Sequence, residues 1–199
     1  MDPLGKKELI DFYNLHLKHF GDSPHALRWT PKGQLKRYDI LLNIAGDIEK
    51  KRILDFGCGK GDFYGYLKSK GLNVIYHGID INERLIQLAK YKYPEAKFIS
   101  IDIEEDEHNQ KYDIIFICGV FNLRVAGIEE TMKNVIKILF KLCEKAMHIN
   151  LLTYYNPQRS VELFYVKPEE IINYIIKELS LKFSLTHDKE DIFLSIFKT

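Results

Sequence analysis

Cysteine is scarce in this chain of 199 residues: Cys58, Cys118 and Cys143 are the only three. An odd number without paired spacing argues against a disulfide framework, a Cys-x-x-Cys redox pair and a thiolate zinc site, and it fits a reducing compartment. Long apolar runs are missing as well. No stretch approaches the roughly 18 consecutive apolar residues of a membrane span, and the first residues carry charges of both signs instead of a signal-peptide run. The expectation is a cytoplasmic chain with no membrane partner. Nor is there an excess of one charge, since 29 Lys+Arg face 28 Asp+Glu for a net +1. Affinity from broad phosphate neutralisation is thereby disfavoured, and nucleic acid is not the expected substrate. Internal repeats and low-complexity tracts are absent.

What is present is one domain's worth of patterned sequence, 46% apolar and 29% charged. Lys6 to Phe20 places Leu9, Ile10, Phe12, Tyr13, Leu17 and Phe20 near helical spacing. A turn-rich stretch, Gly21-Asp22-Ser23-Pro24 to Thr30-Pro31-Lys32-Gly33, leads to a second helix over about Gln34 to Ile48. These elements read as an N-terminal helical cap over residues 1–50 that closes on the site, attached to a core over 51–199 in a single domain.

From Lys51 onward short apolar runs alternate with helical stretches. The runs are Ile53–Phe56, Val74–Ile79, Phe98–Ile101, Ile114–Cys118 and Met147–Leu152; the helices lie near Phe63–Lys70, Glu83–Tyr93 and Ile128–Glu144, and Glu104–Lys111 has no helical pattern. Such alternation indicates parallel strands buried on both faces, and hence an α/β sheet covered by helices. Pro168-Glu169-Glu170 opens a further helix, and the runs Leu181–Leu185 and Ile192–Phe197 end the chain as an antiparallel hairpin.

The strongest local signal is Leu54-Asp55-Phe56-Gly57-Cys58-Gly59-Lys60-Gly61, which joins the first strand to a helix. Glycines there allow a sharp turn and bring a ligand against main-chain N–H groups. Asp80 ends the next strand, 19 residues past Gly61, a distance at which a carboxylate can take both hydroxyls of a ribose. That geometry serves nicotinamide dinucleotides and S-adenosylmethionine alike. Two details separate them. The spacing is Gly-x-Gly-x-Gly, not Gly-x-Gly-x-x-Gly, and Asp55 precedes the loop where it would repel a pyrophosphate but could meet an ammonium.

On these residues the chain resembles the class I S-adenosylmethionine-dependent methyltransferases, from about Lys51 to the C-terminus. Leu54-Asp55-x-Gly57-Cys58-Gly59-x-Gly61 is similar to the first motif of that family and Gly78-Ile79-Asp80 to its second. The resemblance implies a Rossmann-like, seven-stranded, mostly parallel sheet with an antiparallel C-terminal hairpin and helices on both faces. It implies that the loop Gly57, Cys58, Gly59 and Gly61 faces the methionine part of the cofactor, with Asp55 beside its ammonium. Asp80 and Ile81 then meet the ribose, Asp102 and Ile103 the adenine, and Cys118 and Gly119 lie beside the reacting methyl. Arg37, on the helix before the first strand, is either a clamp for the cofactor carboxylate or a salt-bridge residue. Gly21-Asp22-Ser23-Pro24 and Gln34-x-x-Arg37 also resemble elements of small, largely uncharacterised bacterial members, which carry no substrate assignment.

The Asn/Asp-Pro-Pro-Tyr/Phe motif of amino-methylating members is missing, with Cys118-Gly119-Val120-Phe121-Asn122 in its place. That counts against methylation of adenine N6, cytosine N4 or a glutamine amide. The expected acceptor is a small molecule; an RNA or protein acceptor, or a silent cofactor-binding protein, are the rivals. A nicotinamide-dependent oxidoreductase is opposed by the glycine spacing, Asp55 and the terminal hairpin. No general base, metal ligand set or oligomeric state is assigned. His16 and His19 read as surface residues, His187 and Asp188 as a hairpin turn, and Trp29 as either a core anchor or a wall of the substrate site.

Overall fold

The computed structural model describes residues 1–198. Its centre is a seven-stranded sheet built from β1 (Arg52–Phe56), β2 (Ile75–Asp80), β3 (Lys97–Ser100), β4 (Tyr112–Cys118), β5 (Cys143–Leu152), β6 (Phe183–His187) and β7 (Asp191–Phe197). The strand order is β3-β2-β1-β4-β5-β7-β6. β1 to β5 pair in parallel, while β7 runs antiparallel to both β5 and β6. The expected fold is therefore the observed one, including its terminal hairpin. The order reverses between β1 and β4, so a crevice opens at their carboxyl ends, where ligands of open α/β sheets sit.

Helices cover both faces because the central strands are apolar on both. On one face α5 (Ile128–Leu142) and α6 (Pro168–Glu178) bury Val135, Leu139 and Ile175 against Leu54, Ile115, Ile149 and Leu194. On the other face α2 (Pro31–Ala45), α3 (Asp62–Ser69) and α4 (Glu83–Lys92) bury Leu41, Phe63, Leu67 and Ile86 against Ile53, Phe116 and Phe193. α2 is thus one of the helices that cover the sheet. α1 (Pro3–Phe20) differs: only Gly5 and Leu9 along it are buried. Together with a short 3-10 turn, Pro24–Leu27, it lies beside α4 and over the crevice. Among the described residues no helix is long and apolar enough to cross a membrane, and no group of metal-ligating side chains converges.

Candidate active site

The glycine loop turns where a side chain has no room. Gly57 adopts φ +71°, and a Cβ there would lie 2.3 Å from Val120 of the loop after β4. Backbone thus lines the crevice at that point. The N–H of Gly59 donates to Asp80 Oδ2 at 2.8 Å, and the N–H of Asn82 donates to Asp80 Oδ1 at 2.9 Å. Burial pushes the Asp80 carboxyl above the usual range, while these backbone donors favour its charged form. The carboxylate is held in place before any ligand arrives.

Around it lies a cleft of about 860 Å³. β1 and its loop contribute Phe56, Gly57 and Gly59, and the end of β2 contributes Asp80 and Ile81. Past the end of β3, Asp102 and Ile103 supply an acid and an apolar side chain; from β4 come Cys118 and Gly119. Eight of the twelve residues singled out for the cofactor therefore line one cavity: Gly57, Gly59, Asp80, Ile81, Asp102, Ile103, Cys118 and Gly119. Asp102 is already engaged. Burial raises its pKa, but Lys6 of α1, 2.7 Å from Oδ2, outweighs this and holds it below the usual carboxylate range.

Four residues stand elsewhere. Asp55 alternates onto the sheet face under α2 and α3, where it accepts a hydrogen bond from the Tyr76 hydroxyl. It is 2% exposed and does not line the cleft, and burial pushes its carboxyl up to about 7. Cys58 turns its side chain into the same core, and burial raises its thiol well above the usual range. Gly61 caps α3, packed near Phe98 and Tyr93. Arg37, expected as a clamp or a salt-bridge residue, makes a salt bridge here. Its Nε and Nη2 lie 2.9 Å from the two carboxylate oxygens of fully buried Asp191, and Asn150 donates to Asp191 at 3.1 Å. α2 packs against β7, which sets Arg37 beside Asp191.

Beyond Gly119 a second cavity, of about 730 Å³, shares Tyr13, Leu27, Trp29 and Gly119 with the first. Gly119 has φ +67°, and a Cβ there would fall 2.3 Å from the Trp29 ring. Only glycine lets the indole sit there. The Arg37 guanidinium lies 4.7 Å from the Trp29 ring centroid, within cation–π range. Trp29 is accordingly a wall of the site. Tyr13 stands beside it, and burial, with the nearby Asp80 charge, pushes its phenol up to about 12.

Sequence reasoning missed the cluster that ties the N-terminal segment to the glycine loop. Lys60, 2% exposed, lies 2.8 Å from Asp22 and 2.7 Å from Asp62, and Lys92 reaches the same two carboxylates. Gln34 donates to Asp62 at 3.0 Å. A lysine between two loop glycines, with an acid two residues on, was the available signal. His16 and His19 bond to carbonyls of their own helix. His187, expected in the hairpin turn, is instead the last residue of β6, paired with Ile192 of β7, and its Nε2 lies 2.8 Å from the Thr153 hydroxyl.

A family model described as "Methyltransferase domain" matches residues 53–141. The 235L protein of Invertebrate iridescent virus 6 is 27% identical over 132 residues, 63% of this chain and 50% of its own length. A malonyl-[acyl-carrier protein] O-methyltransferase of Acetivibrio thermocellus is 35% identical over 107 residues, 52% of this chain and 38% of its own. The chain thus spans half or less of these two relatives. Among solved structures, magnesium protoporphyrin IX methyltransferase from Synechocystis PCC 6803, with bound SAH, superposes with a TM-score of 0.71 at 15% identity, covering 98% of this chain and 100% of that one. At such identity the likeness speaks for the fold.

Proposed function

We propose that this chain is a class I S-adenosylmethionine-dependent methyltransferase and that it methylates a small-molecule acceptor held in the second cavity. The observation that carries this reading is the shared wall: Tyr13, Leu27, Trp29 and Gly119 border both cavities at the carboxyl end of β4. When bound, the cofactor supplies a methyl group on a positively charged sulfur that leaves as a neutral thioether.

The chain's own residues fit such a ligand. The Gly57 cradle is closed to any Cβ, the Asp80 carboxylate is fixed by two backbone N–H groups, and Asp102 is set beside apolar Ile103. Asp80 is suited to accept from a pair of vicinal hydroxyls, and Asp102 and Ile103 to hold a flat amino-bearing base. Tyr13, Leu27 and Trp29 exclude water at the junction and align the acceptor, which is most of what displacement at a reactive sulfonium needs. No side chain is assigned as a general base. Surface charge supports a small acceptor over RNA, because the arginines at the second cavity are paired: Arg28 with Glu162 at 2.7 Å and Arg37 with Asp191.

Calorimetry tests the reading. S-adenosylmethionine and its demethylated product SAH should bind at about −7 to −8 kcal/mol, in the micromolar range. Asp80→Ala should weaken SAH by roughly 1.5–3 kcal/mol, the loss expected for charge-assisted hydrogen bonds. Unchanged affinity in that variant, or preference for NAD, would overturn it.

A further inference from the structure

The charges and polar groups of the second cavity point to a class of acceptor. Its floor is apolar, with Leu27, Leu123, Leu152 and Leu163. Its two cations are spent, Arg28 on Glu162 and Arg37 on Asp191. Glu190, on the rim, lies 3.9 Å from Arg37 Nη2 and is exposed, so its carboxylate is the least engaged charge of the group. Two arginines against three carboxylates leave a net charge of −1 beside two aromatic rings, Trp29 and Tyr13. Aromatic faces with a carboxylate at hand attract ammonium groups and repel carboxylates.

The junction between the cavities adds a chemical restriction. Burial raises the Tyr13 phenol and the Cys118 thiol, so neither accepts a proton near neutral pH. Among the described residues bordering both cavities there is no histidine or free carboxylate. A hydroxyl acceptor would need its proton taken as it attacks. An amine bound as its ammonium first gives up one proton, to Glu190 on the rim or to water, in an equilibrium that precedes attack and needs no base aligned in the transition state. The lone pair so freed forms the N–C bond, the S–C bond breaks with its electron pair kept on sulfur, and the new ammonium sheds its proton to water.

We propose that the second cavity selects a small primary or secondary amine carried on an apolar or aromatic body. This rests on the reading of that cavity as the acceptor side of a methyltransferase. It is compatible with the missing Asn/Asp-Pro-Pro motif, since an sp3 amine has no conjugated lone pair to free.

Trp29 is the sole tryptophan and borders both cavities, so once SAH saturates the first, a further change in its emission reports on the second. The full chain, saturated with SAH, is titrated with three probes sharing one body: phenethylamine, 2-phenylethanol and phenylacetate. The amine should perturb Trp29 emission at about three- to tenfold lower concentration than the alcohol, and the carboxylate should be weakest, the margin expected of a partly exposed charge and a cation–π contact. Glu190→Gln should erase the preference for amine over alcohol while SAH affinity stays put. The proposal is overturned if alcohol or carboxylate matches the amine, if no probe perturbs Trp29, or if Glu190→Gln keeps the preference. Failure of SAH itself to bind overturns instead the methyltransferase reading beneath it.

Discussion

Asp55 and Asp80 stand on neighbouring strands, both buried, yet their surroundings set them apart. Asp80 receives N–H donors from Gly59 and Asn82, which offset part of its desolvation. Asp55 receives the Tyr76 hydroxyl, and burial still carries it to about 7. In the unfolded chain it titrates as an ordinary carboxylate, near 3.8, so the folded state holds the proton more tightly. The stability this gives is complete below about pH 4 and is lost as pH rises to about 7. Asp55→Asn removes the cost of ionisation and should be more stable than the natural chain at pH 8 by about 1–3 kcal/mol, with the two converging at low pH. Thermal melts at pH 5 and pH 8 decide it, because an equal loss in both proteins would mean that Asp55 ionises normally. The residue's place was not legible in its motif. Spacing put an acid before the glycines, but only strand alternation tells which face it takes, and here that face is the core under α2.

At the scale of elements, the two short N-terminal motifs tie their segment to the core: Asp22 to Lys60 of the glycine loop and Lys92 of α4, Gln34 to Asp62 of α3, and Arg37 to Asp191 of β7. These are residues of the Gly-Asp-Ser-Pro and Gln-x-x-Arg elements, so both short motifs have a structural use. Arg37 is the tie with the largest consequence, because Asp191 is fully buried and would be left without its cation. Breaking a buried pair by removing one partner costs about 3–5 kcal/mol. Arg37→Ala should therefore lower the melting temperature by about 10 °C, at the roughly 2–4 °C per kcal/mol of a chain this size. A carboxylate clamp would give the reverse pattern, with lost cofactor affinity and an unmoved melt. The order and type of the strands and helices were readable, because buried parallel strands are written as apolar runs and helices as periodic ones. Boundaries slipped where polar residues extend an element, as at β5, which starts at Cys143 and not Met147, and α2, which runs from Pro31 to Ala45 and not from Gln34 to Ile48. Pairings such as Arg37–Asp191, 154 residues apart in sequence, leave no periodic trace and had to come from the fold.

For the whole molecule, the reversal of strand order between β1 and β4 fixes where ligands enter, and the N-terminal elements divide into two parts around that entrance. α2 belongs to the sheet, with Leu41 and Tyr38 in the core and Arg37 pinned to β7. α1 and the 3-10 turn lie over the cleft with little burial of their own, and Lys6 of α1 holds Asp102 inside it. Segments with few buried apolar contacts open at low free energy, and such segments serve as lids. Hydrogen exchange with and without SAH reads this division directly. Residues of α1 and the turn, 3–27, should gain protection when SAH fills the cleft, because Leu9, Tyr13 and Leu27 line it. α2 should exchange slowly in both states, since its protection comes from the sheet. A gain that ran on through α2 would make residues 1–50 one closing unit, as the sequence alone suggested. No gain in α1 would make it a fixed buttress, and the cleft would then have to admit its ligand without any movement of Tyr13 or Trp29.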